Sequence, residues 1–219
     1  MKEEKRTQQH RQNAEIDNLQ SGGEKADSQE TRSMDALQQQ FHEMVEAIKF
    51  VSIDDIPRID LYMDQVLTFM EEHLKSGTRD PEHDKILTKT MINNYVKNDV
   101  LIPPVRKKYG MDHMVLLLMI YYLKSFLSIG DIQKVVEPLK DQDESLEQIY
   151  RTTYENLKEE IESSLQETDR QFERAKETFP DNEELQKFAL IARMSTEIYL
   201  KKLYIERLLD QDTDTKSRK

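Results

Sequence analysis

The sequence predicts an all-α protein, and three observations carry that prediction. Glycine and proline are scarce, 5 and 6 in 219 residues, too few for a chain that turns every ten residues as all-β folds do. Apolar side chains recur at steps of three and four through most of the chain, the period of one helix face. Cysteine is absent, which excludes a disulfide scaffold, Cys-ligated zinc, iron–sulfur clusters and thiol catalysis together. The longest apolar run, Met114 to Leu123, is ten residues. A membrane span needs about 20. With no apolar secretory segment near Met1, the chain is expected to work in the cytoplasm and away from membranes.

The elements follow in order. Residues 1–32 are polar, Gln-rich and mixed in charge. They cannot bury enough apolar area to offset the entropy of ordering, so a disordered tail is expected. Leu37, Phe41, Met44, Val45 and Ile48 then recur at helical spacing and predict a helix over 34–50. Pro57 holds the connector extended. Asp60 is expected to cap a helix reaching Leu74, with Leu61, Val66, Phe69, Met70 and Leu74 as its apolar stripe. Lys75 to Lys85 is a polar loop holding Gly77 and Pro81.

A helix is expected at 88–98, ended by Ile102-Pro103-Pro104, and a basic loop follows at 105–110. Residues 111–126 are apolar nearly all round, which puts that helix at the centre of a core. Ser128 with Asp131 three residues on is a capping box, opening a helix that stops near Pro138.

From Leu146 the seam positions are Leu146, Tyr150, Tyr154, Leu157, Ile161, Leu165, Thr168, Phe172, Ala175 and Phe179, all apolar or aromatic except Thr168. Such a seam predicts one helix of about 35 residues, roughly 50 Å long. Pro180 stops it. Asp181 and Glu184 are placed as the next capping pair, and the last helix is expected to run to about Leu209. Its seam positions are Leu185, Phe188, Ala192, Ser195, Ile198, Tyr199, Leu203 and Leu208. The two segments together predict a long antiparallel helical hairpin. Residues 211–219 contain no apolar side chain and are expected to be a second disordered tail.

Charge divides the chain. The formal net charge is -11, yet residues 85–124 hold seven basic and two acidic side chains, a local +5. A positive island on an acidic protein is aimed at a partner, since the bulk of the chain repels nucleic acid. At about 100° per residue, Lys89, Thr90, Asn93, Asn94 and Lys97 share one face of the 88–98 helix, and Met91, Ile92, Tyr95 and Val96 share the other. Amides read adenine bidentately, and lysines donate to guanine or to phosphate. The polar face carries no carboxylate. Arg106, Lys107 and Lys108 follow two prolines and suit a backbone clamp. These eight residues are the candidate DNA contacts, and double-stranded DNA is the expected partner.

The order of parts carries a resemblance. Tyr95, then Val100-Leu101-Ile102-Pro103, a basic loop ending in Tyr109, an apolar helix and Leu127-Ser128-x-x-Asp131-Ile132 resemble the winged helix-turn-helix of MerR-type transcription regulators. Asp99 takes the place of the turn glycine of that pattern, and Asn93 that of an arginine. Aspartate tolerates the left-handed conformation better than most residues. At closer range, IDLYMDQV and LTKTMINNYVKNDVLIPPVRKKY within residues 56–139 resemble a Gram-positive bacterial family known only as a domain of unknown function (DUF family number 1836). The MerR-type resemblance implies a dimeric regulator that distorts promoter DNA and names no effector for this chain. Without cysteine, soft-metal sensing through thiolates is not expected. The expected organisation is a tail at 1–32, a MerR-like helix-turn-helix domain at 33–140, a dimerising hairpin at 141–210 and a tail at 211–219.

Other chemistries find little support. The histidines have no partner at ligand spacing, and no Gly-rich phosphate loop, Gly-x-Ser-x-Gly or HExxH stretch occurs. No catalytic residue, metal ligand or cofactor is expected. A lone two-helix hairpin buries little, so residues 146–208 are expected to pair with a second copy in a four-helix assembly. The alternative is a helical module that binds protein and does not touch DNA.

Overall fold

The described residues are mostly helical, with one small two-stranded sheet among them. The computed structural model describes residues 33–47, 50–80, 82–154 and 157–216; the tail expected at 1–32 and the end of the first helix at 48–49 lie outside them. Helix α1 is Met34–Ala47. Strand β1, Leu61–Tyr62, leads into α2, Met63–Leu74. Helix α3 is Lys89–Lys97, strand β2 is Lys108–Tyr109 and α4 is Met111–Leu123. Then come α5, Ile129–Val136, α6, Leu146–Tyr154, α7, Lys158–Thr178, and α8, Glu183–Lys216.

Helix α4 is the centre of the main core. Residues 113–120 are buried without a break, so the helix has no wet face to be amphipathic about. Val66 and Met70 of α2, Ile92 and Tyr95 of α3, Ile132 and Val136 of α5, and Tyr150 of α6 close around it. Each fully buried leucine, such as Leu116 or Leu117, gains about 1.5–3 kcal/mol over exposure. Ser128 caps α5 as the sequence predicts: its Oγ accepts the Asp131 N–H at 3.2 Å and donates to the Asp131 carboxylate at 2.6 Å.

Several expected boundaries move. Asp60 does not cap α2. Leu61 and Tyr62 are extended because they pair antiparallel with Tyr109 and Lys108, and the Gln65 side chain then accepts the Tyr62 N–H at 2.8 Å. Asp60 lies against Gly110 instead: a Cβ there would sit 3.0 Å from Asp60 Oδ1. The Asp181 cap is corrected to Asn182, whose Oδ1 accepts the Leu185 N–H at 3.0 Å. The last helix passes Leu209 and continues to Lys216, so the tail expected from 211 is helical backbone for six residues.

The largest correction concerns the 146–179 seam. It is two helices, with Leu157 outside helical geometry at the start of α7. The two halves face different cores. Leu146 and Tyr150 are buried in the main core, where Tyr154 stacks on Tyr150 and on Tyr122. Phe172 and Ala175 instead form a second, smaller core with Met34 of α1 and Leu190 of α8. The expected domain boundary at 140–141 therefore falls inside the main packed unit, and the 34–47 segment packs with α7 and α8. Hydrogen bonds from Gln38 and His42 to Asp169, each 2.7 Å, and a Lys176–Asp35 ion pair at 2.7 Å hold α1 there.

Candidate nucleic-acid interface

Helix α3 starts where Thr88 Oγ1 accepts the Met91 N–H at 3.2 Å. Its two faces separate as the helical angles require. Ile92 and Tyr95 are buried, Met91 and Val96 are half-buried, and Lys89, Thr90, Asn93, Asn94 and Lys97 are all exposed. Burial pushes the Tyr95 phenol above its ordinary pKa, which keeps it neutral in the core.

The end of α3 is a Schellman turn. The Val100 N–H donates to Tyr95 O at 2.9 Å, and the Asp99 N–H to Val96 O at 3.2 Å. That geometry needs a left-handed residue at 99, and Asp99 has φ 56°. The position where the sequence carries aspartate in place of glycine is thus left-handed. Lys140 Nζ donates to Asp99 O at 2.8 Å and pins the turn.

The basic loop is a tight two-residue turn. The Val105 N–H donates to Lys108 O at 3.1 Å, and the Lys108 N–H to Val105 O at 3.0 Å. Arg106 and Lys107 between them have φ 54° and 64°. This turn geometry favours Asn-Gly, because two left-handed residues with large side chains cost about 1–2 kcal/mol each. Both side chains are exposed, and Lys108 is half-buried with Nζ 5.4 Å over the Tyr62 ring. The base of the loop is braced by His113. Its Nδ1 accepts the Gly110 N–H at 3.1 Å, so Nε2 carries the proton and donates to Pro103 O at 3.2 Å.

Loop and helix meet on one short segment. Lys89 Nζ lies 2.6 Å from Asp64 Oδ1, while Lys108 lies over Tyr62 and pairs with it across the strands. The first turn of α3 and the base of the basic loop are therefore both held against Tyr62–Asp64. Among the described residues, Lys97, Arg106 and Lys107 make no ion pair. Asn94 is partly engaged: its Oδ1 accepts from Asn98 Nδ2 at 3.0 Å, which braces the helix end.

Sequence reasoning missed Tyr62 and Asp64. Tyr62 had no signal, since its partner is 46 positions away. Asp64 reads as one of an i, i+4 pair with Asp60, whereas its contact is Lys89 on the next helix. Among the described residues no group of three or more His, Asp or Glu side chains could hold a metal ion. No helix among them is long and apolar enough to cross a membrane.

No curated protein and no solved structure is significantly similar to the chain. A family model does match, across β1, the basic loop and the helices of the main core, α2 to α6: residues 51–157 carry a domain of unknown function, DUF1836.

Proposed function

We propose that the protein is a dimeric DNA-binding transcription regulator. In this reading α3 enters the major groove and the Arg106–Lys108 turn is a wing on the phosphates. The observation that carries the reading is the convergence of Lys89 and Lys108 on Tyr62–Asp64, which joins an exposed amide-bearing helix face to a cationic turn. The strain at Arg106 and Lys107 supports it. Left-handed cations persist in a tight turn where Asn-Gly would be easier, and such strain gathers where side chains must be presented to a ligand.

Dimerisation in this reading uses α8. Helix α1 packs against α7 and α8, and among the described residues nothing covers the outer face of α8. Phe188, Ile191 and Ile198 are more than 60% exposed and line up with Ser195 at coiled-coil spacing. Glu184 and Lys202 end this stripe. Antiparallel pairing sets each Glu184 near the partner's Lys202, whereas parallel pairing opposes like charges. Tyr199, also more than 60% exposed, flanks this stripe.

The test is anisotropy of a labelled duplex at rising salt. With four to six phosphate contacts, log affinity falls against log salt with a slope of about -4 to -5. Lys89→Glu, Lys97→Glu and Lys107→Glu together abolish binding. Absent binding at low salt, or binding that survives those changes, removes this reading and leaves a protein-binding helical module, which the net charge of -11 favours.

A further inference from the structure

We propose that the groove between the C-terminal ends of α2 and α4 binds a small amphipathic carboxylate, with a benzene-sized or short aliphatic body and one anionic head. The inner part of the groove is a cavity of about 170 Å³ walled by Phe50, His73, Leu74, Tyr121 and Tyr122. An apolar cavity of about 150 Å³ is enough to admit benzene. The cavity has a few polar groups on its wall. His73 donates Nδ1–H to Phe69 O at 2.9 Å and stacks on the Phe69 ring, which leaves Nε2 as the ring nitrogen without a partner among the described residues. Among the described residues the Tyr121 hydroxyl donates only to Leu74 O, at 3.5 Å.

The outer part is wider, about 420 Å³, and shares Gly77, Tyr121 and Tyr122 with the inner one. Its charge decides the ligand. Arg79, Lys85 and Lys124 line it, against the single carboxylate of Asp84. Asp84 is already occupied, since its Oδ2 accepts the Asp80 N–H at 3.1 Å. Among the described residues none of the three cations makes an ion pair. Lys124 is the most confined of them: Nζ donates to Ile86 O at 2.9 Å and lies 4.8 Å over the Tyr121 ring. Burial holds its pKa below the ordinary lysine value, as for an ammonium that lacks a counter-ion. An apolar pit beside uncompensated cations fits a ligand that is apolar at one end and anionic at the other. A cation is repelled, and a neutral hydrocarbon leaves Lys124 unmatched.

Gly77 gives the test a clean variant. It lines both parts, and a Cβ built on it meets nothing within 4 Å. Gly77→Leu therefore adds an apolar side chain at the wall shared by both parts, at a position with open space for its Cβ. The probe is 3-phenylpropionate, read by isothermal titration calorimetry on the full chain without DNA. Neutral 3-phenylpropanol is the comparison, and circular dichroism checks each variant's fold. The acid is expected to saturate one site, with the alcohol at least about tenfold weaker, the size of one charge-assisted contact. Gly77→Leu is expected to abolish binding, and Lys124→Gln to weaken the acid about tenfold without changing the alcohol. If Lys124→Gln does not fold, Gly77→Leu and the acid–alcohol comparison decide. No saturable binding, equal binding of acid and alcohol, or full binding by Gly77→Leu overturns the proposal. None of these outcomes depends on whether the protein binds DNA.

Discussion

Lys89 Nζ sits 2.6 Å from Asp64 Oδ1, an ion pair between the first turns of two successive helices. Both side chains are well exposed, so the pair adds little to stability, within the usual 0–1 kcal/mol of surface bridges. Its consequence for binding is larger. Asp64 is a negative charge beside the candidate interface, and under the proposed DNA-binding reading it would compete with phosphate for Lys89. Asp64→Asn is expected to leave the melting temperature unchanged and to tighten duplex binding about twofold to fivefold at low salt. Anisotropy and thermal melting read the two effects separately. Weaker binding would show that Asp64 positions Lys89 rather than occupying it.

The left-handed residues separate strain from use. Asp99→Gly relieves the turn after α3 and is expected to raise stability by about 1 kcal/mol with duplex affinity unchanged. Changing Arg106 to Asn and Lys107 to Gly together installs the residues this turn favours. Stability should rise by a similar amount, but duplex affinity should fall at least about tenfold and the salt slope by about 2. Urea melts give the first quantity and salt titrations the second. Loss of stability in the double variant would mean that the turn draws support from contacts of Arg106 or Lys107.

The bare face of α8 predicts an oligomer that a single charge can break. Ile198→Glu and Ile191→Glu alter exposed side chains, so the folded monomer should melt as before. Sedimentation should move from dimer to monomer, and duplex affinity should fall because paired half-sites are lost. A chain that sediments as a monomer before any change ends the dimer reading.

The docking of α1 should depend on acid. The His42 hydrogen bond, with help from Gln38, holds the Asp169 carboxyl below its ordinary pKa, while partial burial opposes. The stabilisation from a lowered carboxyl is complete above the unfolded pKa of about 3.9 and is lost as pH falls through the lower folded value. Hydrogen-exchange protection of residues 34–47 should therefore hold down to about pH 5 and drop as pH falls through about 4 and below, while residues 114–120 stay protected. Asp169→Asn should flatten most of that dependence. Equal loss in both segments would point to global acid unfolding instead.

Much of the main domain is legible because its signals are local. The two faces of 89–97, the apolar girth of 114–120, the Ser128–Asp131 cap and the left-handed Asp99 each lie within one or two helical turns. The missed features all join distant positions. Nothing near Leu61 announces Tyr109 as its strand partner, and nothing near Asp64 announces Lys89. The 146–179 seam failed for a related reason. Spacing shows that a face will be covered, but not by what, and one periodic stripe here serves two cores. The outer face of α8 shows the same limit, since its apolar positions were expected to pack inward and several of them stand in solvent.

One property of α8 governs anything attached to it. Leu190 and Met194 grip the smaller core near its start, and Ile205 and Leu209 grip the larger core near its end. Between Pro180 and the last residue there is no glycine or proline to act as a kink. The helix is a strut of about 50 Å, clamped at two places and without a hinge. Two such struts paired back to back would hold two reading heads at a fixed span. Half a turn of DNA inserted between the target half-sites would then defeat recognition, whereas a flexible tether would absorb it.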